Sequence, residues 1–385
     1  MKKMLNDMEG LPDFADLLPH RIAALIAARA KGLDVLNYLK FMLEVGGPLK
    51  LLEYPERYRD VKPCGPFFSR PGLVAEAERQ IKEWAGKGIG VIAISEPCYP
   101  SYLRRIYEPP FLLFVRGEAV GFLAEHPMLA IVGSRRGDFS GCEIAGQFAR
   151  LIACGGSCVV SGLAYGIDAA AHQGALDSLA PFPTVAVLGN GLATVYPPAN
   201  ERLARRILDR GGLLLSQFEP EEKPYPVNFL NRNRVIAGLA RGVLVVQATK
   251  RSGSLVTARY ALEEGREVLV VPGAITDPRY EGSNDLLKQG AGVVTSIEDI
   301  YEILPALKRR PREDDLISKE QSFEKALSTS QSAILKVLQS GPLHFDALAK
   351  KLSGLNGLAA ELLDLELAGH VTRLPGNQVA LRCRI

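Results

Sequence analysis

Short apolar runs bounded by glycine turns recur from about residue 126 to 300, and a helical pattern follows each one. The runs are Met128 to Val132, Cys158 to Val160, Thr184 to Leu188, Leu213 to Leu215, Val243 to Val246 and Val268 to Val271. They are apolar throughout and do not alternate, so both of their faces must be covered. That predicts a parallel sheet with helices on each side. Between the runs, residues such as Ile144, Phe148, Leu151 and Ile152 fall on one helical face. The expected fold class is α/β, a Rossmann-like, doubly wound, mostly parallel sheet.

The flanks read differently. Ile22, Leu25 and Ile26, then Leu36, Leu39 and Leu43, recur at helical spacings, and a further helix is expected over Val74 to Trp84. Val91 to Ile94 predicts a strand, and Pro97, Pro100, Pro109 and Pro110 predict an irregular connection after it. The charged stretch Lys308 to Asp315 predicts a mobile linker. Three short helices are then expected, over Ser332 to Gln339, Phe345 to Leu352 and Leu358 to Leu367. A hairpin around Pro375-Gly376-Asn377 completes a winged helix-turn-helix. The predicted domains are 1–85 (helical), 86–304 (Rossmann-like core with its lead-in), 305–330 (linker) and 331–385 (winged helix).

At 385 residues and 47% hydrophobic content, the chain has material for more than one core. No uncharged run is long enough to span a bilayer, and no leader pattern opens the chain, so a soluble cytoplasmic protein is expected. The six cysteines lack a CxxC pair and predict reduced thiols, with no metal site. A net charge of +3 says nothing about a polyanionic partner, so any electrostatic argument must be local.

Ligands of open parallel sheets sit beyond the carboxyl ends of the strands, where helix N-termini present N–H groups. After the first run comes Gly133-Ser134-Arg135-Arg136-Gly137, a tight turn with a hydroxyl and a guanidinium. It is not GxGxxG, and no acidic residue ends the second strand to hold a ribose, so no dinucleotide cofactor is expected. Gly162 follows the second run, and Asn190 sits between two glycines after the third. The 40 residues from Lys223 to Leu262 carry seven basic side chains and no acidic one, in a chain with 43 acids. That gap predicts a cation-rich face. It includes Phe229, Arg232, Asn233 and Arg234, and the basic turn Lys250-Arg251-Ser252-Gly253-Ser254. Arginines, amides and helix-start N–H groups hold phosphate, and an aromatic face stacks an unpaired base, worth about 1–3 kcal/mol. The competing reading makes Phe229 a core residue and some arginines helix caps. Asp168 and His172 stand four apart, as an acid/base pair would, but a helix-start cap and a structural histidine are the favoured reading. HExxH, a P-loop and GxSxG are absent, so no catalytic residue is assigned.

Several stretches, in order, resemble the bacterial DprA (Smf) family: IVGSRRGDFSG, VVSGLAYGIDAAAHQGAL, AVLGNGLATVYPPANERL, FLNRNRVIAGLARGVLVVQATKRSGSLVTARYALEEGREVLVVPG and GSNDLLKQGA. The resemblance covers roughly residues 90 to 300. It implies a non-enzymatic protein that binds single-stranded DNA without sequence preference and delivers it to the RecA recombinase, in transformation or recombination. It also implies a homodimer formed through the core. Carried across by motif, Gly133, Ser134 and Arg135 would contact phosphate. Phe229, Arg232, Asn233, Arg234, Lys250, Ser252, Gly253 and Ser254 would complete the site. Leu230 stands where members commonly have proline, and Pro226 where some have a basic residue.

Two other functions compete with this one. A nucleoside-monophosphate-hydrolysing enzyme of the related Rossmann-like group would need a carboxylate near its Pro-Gly-Gly-x-Gly-Thr loop. The comparable turn here, Arg251 to Ser254, has none before Glu263. A regulator reading duplex DNA would want arginines and amides on the third helix of its winged domain. Leu358 to Ala368 is acidic and apolar instead, which fits a protein contact or autoregulation better.

Overall fold

The computed structural model describes residues 17–124, 126–308, 328–338, 343–352, 357–367, 371–374 and 378–381. Residues 1–309 and 310–385 form two compact units. Most of the expected linker and the tip of the expected hairpin lie outside the described residues.

The first unit is built on a nine-stranded sheet in the order β1-β2-β6-β5-β4-β3-β7-β8-β9. Its strands are β1 (Gly90–Ala93), β2 (Leu112–Arg116), β3 (Met128–Val132), β4 (Cys158–Ser161), β5 (Thr184–Val187), β6 (Leu213–Ser216), β7 (Gly242–Val245), β8 (Glu267–Val270) and β9 (Gly292–Val293). From β6 to β9 all neighbours are parallel; β1 and β2 add an antiparallel edge. Strand side chains alternate between faces, and both faces are packed. Met128, Ala130, Val132, Val243 and Val245 join the core that also holds Val235, Ile236 and Leu239 of the helix Pro226–Leu239. Leu129, Ile131, Leu244 and Leu269 face Phe148, Ile152, Ile167 and Ala171, from the helices Phe139–Cys154 and Ile167–Leu176. This is the doubly wound sheet that the continuous apolar runs require. The chain winds outward from β3 to β6, then returns to place β7 on the other side of β3. A switch of this kind opens a crevice at the carboxyl ends.

The helices Leu18–Ala28, Val35–Val45 and Leu73–Gly86 pack into the same core as the first sheet face. Their anchor is Glu96, fully buried just after β1. It takes a fork from Arg21 at 2.9 and 3.1 Å, and Ala93 N–H at 2.8 Å.

In the second unit the helices Thr329–Leu338, Phe345–Lys351 and Leu358–Leu367 accompany a small sheet in the order β10-β12-β11. Its strands are β10 (Leu343–His344), β11 (Val371–Leu374) and β12 (Gln378–Leu381), all antiparallel. Ile334, Leu338, Leu348, Leu362, Leu365, Val371 and Val379 form its core. On the third helix the exposed residues are Ala359, Ala360, Leu363 and Asp364, with no cation among them. Among the described residues no helix is long and apolar enough to cross a membrane.

Candidate nucleic-acid interface

The loops after β3 and β7 lie side by side because their strands are neighbours. Ser134 N–H donates to the Gln247 carbonyl at 2.7 Å, and the Ser134 carbonyl accepts from Ile167 N–H at 3.2 Å. Gly133 passes so close to both that a Cβ would stand 2.7 Å from the Ile167 side chain and 2.9 Å from the Gln247 carbonyl. A side chain at 133 would therefore push the turn off the sheet. The Ser134 hydroxyl accepts from Arg136 N–H at 3.1 Å, which closes the turn and leaves Arg135 exposed at its tip.

The helix Pro226–Leu239 supplies the opposite wall. Phe229, Arg232 and Asn233 stand three and four apart and share one helical face. The Phe229 ring lies against the backbone of Gly189, where a Cβ would approach Cδ1 to 2.5 Å. Two guanidinium groups meet that ring: Arg135 at 5.5 Å and Arg232 at 6.0 Å from its centroid. Arg232 is only 3% exposed. Its Nη1 donates to the carbonyls of Gly162, at 2.5 Å, and of Val187, and its Nε donates to Asn233 Oδ1 at 3.1 Å. Asn233 Nδ2 in turn donates to the Gly253 carbonyl at 3.2 Å, tying the helix to the basic turn after β7. Burial pulls the Arg232 guanidinium down to about 10; Asp168 opposes the shift and Arg135 adds to it.

Gly162 gives its carbonyl to Arg232 and its N–H to Asp168 Oδ2 at 3.1 Å. Asp168 therefore reaches back along the chain, and Gly166 is the residue that caps its helix. Burial raises the Asp168 carboxyl, with Arg232 and two backbone N–H groups acting against the rise. His172 is fully buried, its Nδ1 2.7 Å from Thr184 Oγ1, and burial pulls it down to about 3. The favoured reading of this pair as structural agrees with these separate partners.

The remaining residues divide. Ser252 and Ser254 hydroxyls lie 2.7 Å apart at the start of the helix Ser254–Glu263, and Gly253 beside them faces open space. Lys250 is exposed at the same edge, 3.7 Å from Glu281. Asn190 is fully buried and holds its own loop, donating to the carbonyls of Gly191 and Thr194 at 2.9 and 2.8 Å. Arg234, two residues beyond Arg232, turns away to pair with Glu108 at 2.6 Å. Arg241 stacks on Tyr102 at 4.1 Å, at the amino end of β7. The acid-free stretch therefore does not form one face: Arg232 and Lys250 lie where the strands end, and Arg234 and Arg241 do not.

Residues 90–305 match the family described as DNA recombination-mediator protein A, and residues 318–377 match the DprA winged helix domain. The chain belongs to this recombination-mediator family. It is similar to protein Smf of Escherichia coli, 41% identical over 303 residues covering 76% of this chain and 77% of that one. It is also similar to the solved DNA processing protein A of Streptococcus pneumoniae, at TM-score 0.59 and 35% identity over 74% of this chain and 97% of that one. A third likeness is to DNA processing protein A of Helicobacter pylori, whose structure describes a single-stranded DNA binding mode. It has TM-score 0.51 and 28% identity over 57% of this chain and 97% of that one.

Two further exposed aromatic residues stand on the strand-end loops, Tyr196 beside Phe229 and Tyr165 next to Gly166. Tyr196, 42% exposed, places its ring 5.5 Å from Phe229 at a tilt of 49°. Tyr165, also exposed, precedes Gly166, a residue packed against the Ser134 and Arg135 backbone. The available signal was an aromatic inside each glycine-rich or proline-rich strand-end loop.

Proposed function

We propose that this protein binds single-stranded DNA without sequence preference and hands the strand to the RecA recombinase, acting as a cytoplasmic homodimer without covalent chemistry. The observation that carries the reading is the meeting of Arg135 and Arg232 over the Phe229 ring at the carboxyl edge of the sheet. Exposed Arg135 and Lys250 supply phosphate contacts, with Ser134, Ser252, Gly253 and Ser254 lining their turns. Phe229 with Tyr196 offers an unpaired base a stacking surface, which a base held in a duplex does not reach. Arg232, Asn233, Gly162 and Asn190 shape this crevice from within. The single-stranded DNA binding described for the Helicobacter pylori relative supports the reading. The absence of a chemical step is supported by Asp168 and His172, each committed to a different partner. The exposed residues of the Leu358–Leu367 helix carry no cation, which favours a protein contact over duplex readout.

The test is oligo-dT binding across a salt series for the wild type and Arg135→Ala/Lys250→Ala, with a duplex and a nucleotide-hydrolysis assay run beside it. The double variant is expected to bind weakly. Its slope of log affinity against log salt should be shallower by about 0.7 for each phosphate contact removed. A folded double variant with wild-type affinity and slope overturns the reading. Equal duplex binding would point to a regulator instead, and base release to a hydrolase.

A further inference from the structure

Three acids, Glu219, Glu221 and Glu222, stand immediately before the acid-free stretch that opens at Lys223. They follow β6, and the structure sets them against the wall of the crevice. Gly191 N–H donates to the Glu222 carbonyl at 2.9 Å, and Ala193 N–H donates to the Pro220 carbonyl at 2.9 Å. A Cβ at Gly191 would collide with the Glu219 carbonyl. The acidic loop therefore lies flush against the loop that carries Asn190 and Tyr196. On its other side, Asn228 Nδ2 reaches Glu222 Oε1 at 3.5 Å, one residue before Phe229. Charges act on one another over about one Debye length, 8–10 Å at ordinary ionic strength, so a carboxylate on this loop repels a polyanion seated within that reach.

The N-terminal helices meet these acids from outside. Arg29, just past Leu18–Ala28, forks onto Glu219 with Nε to Oε1 at 2.7 Å and Nη2 to Oε2 at 2.6 Å. Its bond to Glu219 raises the Arg29 guanidinium above its ordinary value, in spite of partial burial. The Trp84 indole N–H is shared between the two oxygens of Glu221, at 3.3 and 3.1 Å, and Lys87, itself bonded to Glu83 at 2.7 Å, approaches the same carboxylate at 3.6 Å. The Trp84 ring is held edge-on against Phe114 of β2, 5.2 Å between centroids.

We propose that the N-terminal helical layer acts as a counter-charge for the DNA-facing wall. Arg29 neutralises Glu219, while Trp84 and Lys87 hold Glu221, so that the acidic loop shapes the crevice without repelling the strand. Arg29 is thus a positioning residue that need not touch DNA. This rests on the single-strand reading above.

The experiment measures oligo-dT affinity at low and high salt for the full chain and three variants: Arg29→Gln, Glu219→Gln and the double. Arg29→Gln is expected to bind about fivefold more weakly at low salt, with the gap closing at high salt. Glu219→Gln, which leaves Arg29 uncompensated, should bind more tightly than the wild type. The double variant should return to wild-type affinity. A merely structural joint predicts weaker or unchanged binding in both single variants, and loss of fold cannot produce opposite signs. Trp84 is the only tryptophan of the chain, so its emission reports whether the neighbouring Trp84–Glu221 contact and the helical layer survive in each variant. Weaker or unchanged binding by Glu219→Gln, or unchanged binding by Arg29→Gln, overturns the inference while wild-type binding preserves the single-strand reading. A wild type that does not bind the oligomer overturns both.

Discussion

Arg232 donates to main-chain carbonyls that follow or lie in two neighbouring strands, Gly162 after β4 and Val187 in β5, so its charge fastens the crevice as well as facing it. The same interior fixes the protonation of His172. Its imidazole is held near 3 in the folded chain, below its ordinary 6.5, so the unfolded chain binds the extra proton between those values. Stability therefore falls as pH drops through that window, by on the order of 1 kcal/mol per unit for this one group. Urea unfolding at mildly acidic and neutral pH should show the wild type losing more stability than His172→Gln by about that slope. Equal pH dependence in the two proteins would show that His172 takes up its proton alike in the native and unfolded states. The site was partly legible in the sequence. Glycine turns after apolar runs mark the strand-end loops, and Phe229, Arg135 and Lys250 do lie at that edge of the sheet. A charge count, however, does not see direction. Residues 232 and 234 differ by roughly 200° around a helix, so one enters the crevice and the other reaches Glu108.

The helices Phe139–Cys154 and Ile167–Leu176 set the angle of the Gly133 turn, because Ile167 packs directly under it. They approach backbone to backbone at Gly174, where a Cβ would overlap the Gly146 carbonyl; a Cβ at Gly146 would have room, 3.5 Å from the Ala170 carbonyl. Gly174→Ala is therefore expected to cost about 1–3 kcal/mol through overpacking and to weaken oligomer binding by shifting Ile167. Gly146→Ala should be neutral or stabilising, since it gains up to about 1 kcal/mol of helix propensity. Urea midpoints and oligo-dT affinities of the two variants check this, and similar losses in both would sink it. All of the strands expected between residues 126 and 271 are present, because a strand covered on both faces must be apolar at every position. β2 was not anticipated. Its buried Leu112 to Val115 follow Pro109 and Pro110, and it pairs with β1 and with β6, a strand far along the chain, so no local pattern announces it. β9 and β10, two residues each, are too short to carry a period.

The whole molecule carries a net charge of only +3, and the exposed cations Arg135 and Lys250 stand together at the strand-end edge. The side chains assigned to the strand, from Arg135 to Ser254, all lie in the unit of residues 1–309, which has its own two-faced core. The winged unit closes around a separate core. A chain ending at Lys308 should therefore fold, with a cooperative thermal transition. It should also bind oligo-dT with the affinity and salt slope of the full chain, because the number of phosphates neutralised is unchanged. Anisotropy titrations of both chains across a salt series measure this directly. A loss of slope on truncation would mean that cations of residues 309–385 also contact the strand, and the removed segment would then have to be counted as part of the binding surface. An unchanged slope leaves that unit's acidic and apolar third helix available for a protein partner.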